Sequence, residues 1–219
     1  MLRTEHMEIV MTNYQTPTEE LYNGLQRAFN HFNKELFDER LPPVVFTLTR
    51  KRKAHGYFWA EQFKPREDGD PTHEIALNPD TMSRELPEIL STLVHEMTHL
   101  EQQEYGKPGK NGNHNREWVG LMEAVGLIPS NTSMPGGKKT GRQMTHYIEP
   151  GGVFEAACEA LLVTGFDLPY FTRPRETAEK KRDLSKVKTT CPCCQAKAWC
   201  KQGMRIMCCD CNEEMVQEE

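Results

Sequence analysis

The stretch His95-Glu96-Met97-Thr98-His99 constrains the fold of this chain more than any other feature. Two histidines four residues apart on a helix differ by one turn plus about 40°, so both imidazoles leave the same face. They can then take adjacent corners of a metal tetrahedron. Leu86-Pro87 opens such a helix, and Ile89, Leu90, Leu93, Val94, Met97 and Leu100 give it a broad apolar face. Two histidines on a helix are otherwise ordinary polar surface. Here the apolar face is to be buried, which orients the histidine face. Glu96 lies beside that face, placed to take a proton from a zinc-activated water, whose pKa falls towards about 7, and to pass it to a leaving amine.

Two ligands hold zinc poorly, and a catalytic site needs a third while leaving the fourth position open. The metzincin pattern has a histidine six residues after His99, but that position is Tyr105. The gluzincin pattern has a glutamate about twenty residues on; Glu117 and Glu123 straddle that place without a convincing match. His114 is the better candidate. It follows the flexible loop Gly106 to Asn113 and directly precedes a helix, so a loop return brings it under the metal.

Along the rest of the chain, Thr16-Pro17-Thr18-Glu19 has the spacing of a capping box, with proline at the first helical position. Leu21, Leu25, Ala28, Phe29, Phe32 and Leu36 then recur at helical spacing, up to Leu41-Pro42-Pro43. Three β-rich runs follow, Val44 to Arg50, Gly56 to Ala60 and Glu74 to Asn78. Beyond the metal helix, a third helix is predicted from Asn115 to Val125. Pro129 to Gly152 reads as a long loop with a short strand at Met144 to Ile148, and Val153 to Val163 as a fourth helix. Cys158 is expected to be a small core residue there. Thr172 to Thr190 has seven basic and three acidic residues, almost no large apolar ones, and reads as a linker.

Seven of the eight cysteines lie in the last 29 residues, a density that in a reducing compartment points to metal rather than disulfides. Cys191 to Cys194 and Cys208 to Cys211 are two Cys-x-x-Cys knuckles with 13 residues between them. Four thiolates so spaced can close a tetrahedron around one zinc at about 2.3 Å, with no place left for water. Trp199 and Met204 to Met207 are the expected strands of this ribbon, which has too little core to fold without its metal. Cys193, Cys200 and Cys209 are surplus, since registers using Cys193 or Cys209 make tighter loops. A dithiol redox role lacks the expected βαβ context.

Residues 17 to 165 resemble the SprT-like family of zincin metalloproteases, which includes the Spartan proteases that degrade proteins crosslinked to DNA. The resemblance runs through Glu35-Leu36-Phe37, Leu41-Pro42, the strand with Gly56, Glu74 to Asn78, Leu90 to His99, and His114-Asn115-Arg116-Glu117-Trp118. It implies that the third zinc ligand is His114, heading a His-x-x-x-aromatic segment. It also implies a small mixed zincin fold with the metal helix beneath a short sheet. The ribbon, with ligands Cys191, Cys194, Cys208 and Cys211, is similar to one that follows many SprT-like domains, where glycine commonly stands at the position of Cys209. Thr140 to Phe154 resembles a bacterial and mobile-element subgroup. Within it, His146 and Tyr147 are candidates to support a transition-state oxyanion, with ordinary strand packing as their other reading.

The expectation is therefore an α+β chain: a zincin domain over residues 14–171, a basic linker over 172–190 and a zinc ribbon over 191–215, holding two zinc ions. The expected function is zinc-dependent endopeptidase action on protein substrates, including proteins held on DNA. The rival readings are a DNA-binding or regulatory protein using the fold as a scaffold, which would not need Glu96, and a hydrolase of small peptides. Net charge of -5 and pI of about 5.9 exclude a global field for DNA, so any contact is local: Arg50 to Lys53, Lys138 to Arg142 and the linker. No run reaches the roughly 18 apolar residues of a membrane helix, and the N-terminus lacks the apolar run of a signal peptide, so a cytoplasmic location is expected.

Overall fold

The computed structural model describes residues 15–173 and 186–217. Contacts divide the chain between Arg173 and Pro174 into two units. The first begins with α1 (Pro17–Phe37), whose capping box is complete: Thr16 Oγ1 accepts from Glu19 N, and Glu19 accepts from Thr16 N at 2.8 Å. The helix ends at Asp38 and Glu39, both left-handed (φ 53° and 56°), which turns the chain towards the sheet. Leu21, Leu25, Ala28, Phe29 and Phe32 are buried as their spacing predicts.

Strands β1 (Val44–Leu48), β2 (Gly56–Phe63) and β3 (Thr72–Leu77) form a sheet in the order β1-β3-β2. The β1-β3 pair is parallel and β2-β3 antiparallel, so β3 is central and β2 an edge. From His73 to Leu77 β3 is buried on both faces. Glu74 is tolerated there because it accepts from Thr47 Oγ1 at 2.5 Å and Tyr57 Oη at 3.2 Å.

Helix α2 (Leu86–Tyr105) packs on β2 and β3, and its buried positions run almost unbroken from Ile89 to Gln102. After it come α3 (Arg116–Ala124), β4 (Leu127–Ser130), β5 (Thr145–Ile148) and α4 (Val153–Leu162). Phe154 of α4 stacks on Phe32 at 5.6 Å, and His31 Nε2 reaches Ala157 O at 2.8 Å, joining α1 to α4. Cys158 is buried and its thiol pushed up to about 11 by burial, which makes it an inert core residue.

In the stretch Pro129 to Gly152 the expected short strand is present as β5, whereas its partner β4 was not expected. β4 and β5 form an antiparallel pair with Pro129 opposite His146. Pro129 obscures the strand in the sequence because it lacks an N–H, yet a two-stranded ribbon has an edge to accommodate it.

In the second unit β6 (Val187–Thr190), β7 (Lys197–Cys200) and β10 (Val216–Gln217) form a sheet in the order β10-β6-β7, and β8 (Met207–Cys208) pairs with β9 (Glu213–Glu214). Val187 to Thr190, read from sequence as linker, is thus a strand, and the sheet extends past the expected ribbon end at residue 215. The β-branched residues of Val-Lys-Thr-Thr suit this half-buried central strand, but its lysine disguises it among the basic residues before it. Arg175, Lys180, Lys181, Arg182 and Asp183 of the expected linker lie outside the described residues.

Candidate metal centres

His95 and His99 stand one turn apart on α2, and His114 enters from the loop before α3. One ligand atom from each lies within 4.8 Å of the others. His114 Nδ1 donates to Gly141 O at 2.9 Å, which leaves its Nε2 lone pair facing His99 Nε2 at 3.1 Å. The backbone holds this pose as well: His114 N donates to Gly141 O at 2.9 Å, and Gly141 N returns a bond at 3.1 Å. Next to His114, Asn115 caps α3 by accepting from Trp118 N at 3.0 Å. Its amide oxygen also accepts from Gln102 Nε2 at 2.9 Å, tying α2 to the start of α3.

Trp118 is fully buried beneath the three rings. Its ring lies 4.3 Å from His114 and 5.0 Å from His95, and stacks on His99 at 5.2 Å and 19°. Burial holds the imidazoles neutral: it lowers His99 to about 3, His95 well below its ordinary value, and His114 against the opposing bond to Gly141. Three convergent neutral imidazoles are a donor set that fits a divalent ion without first releasing protons.

Glu96, the next residue on α2, has its carboxyl raised to about 8 by burial, against the lowering influence of Lys51 and the Phe58 N–H. A cation held by the three histidines would draw it down again, giving a base whose proton affinity lies near neutrality. The first residue of β2 makes room for it. A Cβ at Gly56 would lie 2.9 Å from Ala76 O, 3.1 Å from Glu96 Oε1 and 3.2 Å from Thr92 Cγ2.

The structure separates the two oxyanion candidates. His146 joins the centre, but both its nitrogens are engaged: Nδ1 lies 3.0 Å from His95 Nδ1, and Nε2 2.9 Å from Ser91 Oγ. Neither is left for a substrate oxygen. Tyr147 follows it on β5 and so points to the opposite face. Sequence reading missed Ser91, Arg84, His55 and Gly141. Ser91 had a signal, since it precedes His95 by one helical turn and shares its face. Arg84 and His55 lie near enough to lower His146, which burial takes to about 4.

Glu117 and Glu123 do not reach the histidines. Glu117 accepts from Lys107 N, and Glu123 pairs with Lys139 Nζ at 2.5 Å.

In the second unit Cys191, Cys194, Cys208 and Cys211 bring their sulfurs within 4.8 Å of one another, Cys194 and Cys208 at 3.6 Å. Both knuckles close alike. Gln195 N donates to Cys191 O at 3.0 Å and Asn212 N to Cys208 O at 2.8 Å. Gln195 and Asn212 are each left-handed, at φ 61° and 56°. Hydrogen bonds from the backbone N–H groups of Cys194 and Cys193 lower Cys191 to about 7, favouring the thiolate that binds metal. Cys193 and Cys209 are exposed, Cys200 is buried on β7, and none of the three belongs to the group.

Among the described residues no helix is long and apolar enough to cross a membrane. The model of the SprT-like family matches residues 25–136, just over half of the chain, with His95, His99 and His114 inside the match. The chain is also 44% identical over 59 residues to a Salmonella typhimurium protein described as "Uncharacterized protein in mucB 3'region", covering 27% of this chain and 80% of that one. No solved structure matches it. An α+β unit that carries three convergent histidines inside the matched span, followed by a four-cysteine cluster of zinc-ribbon form, belongs to the SprT-like family.

Proposed function

We propose that the first unit is a zinc-dependent endopeptidase whose metal is held by His95, His99 and His114, with the four cysteines holding a second, structural zinc. The observation that carries this reading is Glu96, a carboxyl buried beside three neutral imidazoles and tuned by burial to about 8. A purely structural zinc site has no use for such a group, which is costly to bury. When bound, the zinc supplies Lewis acidity that activates water and polarises a peptide carbonyl. Glu96 takes the proton from the attacking water and returns it to the leaving amine. Trp118 keeps the imidazoles from turning, and Gly56 keeps β2 clear of the carboxylate.

Proteins held on DNA are the substrate class we favour, with DNA contacted locally. Arg50 and Lys139 are poorly placed for this, since Asp80 holds the first at 3.0 Å and Glu123 the second at 2.5 Å. Lys51, Arg52 and Lys53 are exposed on the loop before β2, Lys51 lying 4.5 Å over the Tyr57 ring. On the ribbon Trp199 is 63% exposed, paired across the sheet with Lys188. An open aromatic beside cations suits stacking on single-stranded bases.

The test is to incubate the zinc-loaded full chain and its Glu96→Gln variant with a DNA-crosslinked protein, with and without single-stranded DNA. Fragments are expected from the wild type alone, and more of them with DNA. Equal cleavage by Glu96→Gln would remove the proposed mechanism. DNA binding without cleavage by either would favour the scaffold reading.

A further inference from the structure

We infer that His146 is a positioning residue for His95, and that the run from the Glu88 carbonyl through Ser91 and His146 decides which nitrogen His95 turns to a metal. The inference rests on the reading of the histidine trio as a metal centre.

The directions of the hydrogen bonds follow from one end. Ser91 Oγ donates its only proton to Glu88 O at 2.9 Å, so towards His146 it can only accept. His146 Nε2, 2.9 Å from Ser91 Oγ, therefore carries a hydrogen. Neutral His146 then has a bare Nδ1, and this atom lies 3.0 Å from His95 Nδ1. His95 Nδ1 must be the donor. That leaves the Nε2 lone pair as what His95 offers to a metal.

The anchor is rigid at both ends. Ser91 and His95 are one turn apart on α2, so His146 laces one residue of this helix to another. It arrives from β5, held by pairing with β4. A ligating imidazole that gives its other N–H to an acceptor is fixed in tautomer and in ring rotation, and it is a stronger donor. The acceptor here is a second imidazole in place of a carboxylate or carbonyl.

The experiment compares wild type, His146→Leu and His146→Asn as full chains, using zinc ion itself and a competing chelator. The histidine-site phase of zinc release is identified as the one that His114→Ala lacks, and the cysteine-site phase serves as an internal control of folding. His146→Leu fills the volume but accepts nothing, and should weaken the histidine site about 10–100-fold. His146→Asn can present its amide oxygen near the position of Nδ1 and should recover most of that loss. In wild type with 15N-labelled imidazoles, the His95 Nδ1–H should be protected from exchange, and His146→Leu should lose that protection. If His146→Leu binds at the histidine site as tightly as wild type, or if His146→Asn binds there no more tightly than His146→Leu, His146 only fills space and the inference is wrong. If wild type shows no histidine-site zinc at all, the metal-centre reading fails together with it.

Discussion

Glu117 holds the loop that delivers His114, with its two carboxylate oxygens 3.1 and 3.0 Å from the backbone nitrogen of Lys107. Gly106 lets it approach: a Cβ there would stand 2.3 Å from Glu117 Oε1. One of the two acidic residues that compete on spacing for the metal is thus a clamp on the chain just after α2. Its partner in that competition, Glu123, is tied to Lys139.

These positions predict three different outcomes. His114→Ala should reduce zinc stoichiometry of the full chain from two to one. Glu117→Ala should keep both ions but destabilise the first unit by about 0.5–1.5 kcal/mol, the net worth of an exposed hydrogen bond that water can replace. Glu123→Ala should stay within about 0.5 kcal/mol of wild type, as an exposed pair predicts. Zinc analysis and urea denaturation together decide it. Retention of two zinc ions by His114→Ala, with loss in either glutamate variant, would reassign the third ligand.

Gly56→Ala tests the clearance over Glu96. The added Cβ meets a backbone carbonyl at 2.9 Å and cannot displace it cheaply, so β2 must shift or Glu96 must move. Overpacking of this kind costs about 1–3 kcal/mol. A base displaced by about 1 Å can lose on the order of a hundredfold in rate. Proteolysis should therefore fall far more than zinc content, which should remain at two ions. A variant with wild-type kcat/KM would show that Glu96 does not depend on this gap.

The first two helices were legible because they repeat apolar residues at helical spacing after clear start signals, and Leu41-Pro42-Pro43 marks the stop of α1. The histidine pair and four cysteines were legible because spacing along one short element sets their geometry. What could not be read was assembled across elements. Gly141 grips His114 from 27 residues away, and His146 reaches Ser91 from 55 away. No local pattern records such pairings. β4 was hidden by Pro129, and β6 by the charge of the residues around it.

Acid and base should destabilise the metal-free first unit for opposite reasons. The folded protein holds His99 near 3 and His146 near 4, while an unfolded imidazole takes its proton at about 6.5. Below pH 6.5 the unfolded chain binds protons that the folded one refuses, so stability falls as pH falls from there towards 4. Glu96 acts in reverse. Its folded value of about 8 exceeds the ordinary carboxyl value of 4.5, so the folded state keeps a proton and loses stability as pH rises between the two. The histidines outnumber it, and the balance places maximum stability near pH 6.5. Urea midpoints of chelated protein, followed through α2 amide signals, should trace that maximum. A rise continuing through pH 8 would mean that Glu96 is not held protonated.

Removing metal should separate the two units. Among its described residues the second has a core of only Cys191, Cys208 and Met215, with Ala198, Ile206 and Cys211 against it, and three of these six are candidate ligands. Such a core cannot offset the entropy of ordering its strands, whereas a structural zinc supplies about 10–16 kcal/mol in small cysteine and histidine sites. The first unit instead buries Phe32, Phe37, Trp118, Phe154 and a cluster of aliphatic residues around α2. Chelation should therefore collapse the amide signals of residues 187–217 into the unfolded range while α1 and α2 keep theirs. Cys194→Ser should do the same with zinc present, because it removes one of the four convergent sulfurs. Cys193→Ser and Cys209→Ser should leave the signals in place, since both thiols are exposed and outside the cluster. Collapse in either of those two variants would show that the ribbon uses the other register. Persistence of the ribbon signals after full chelation would show that its strands fold without a metal.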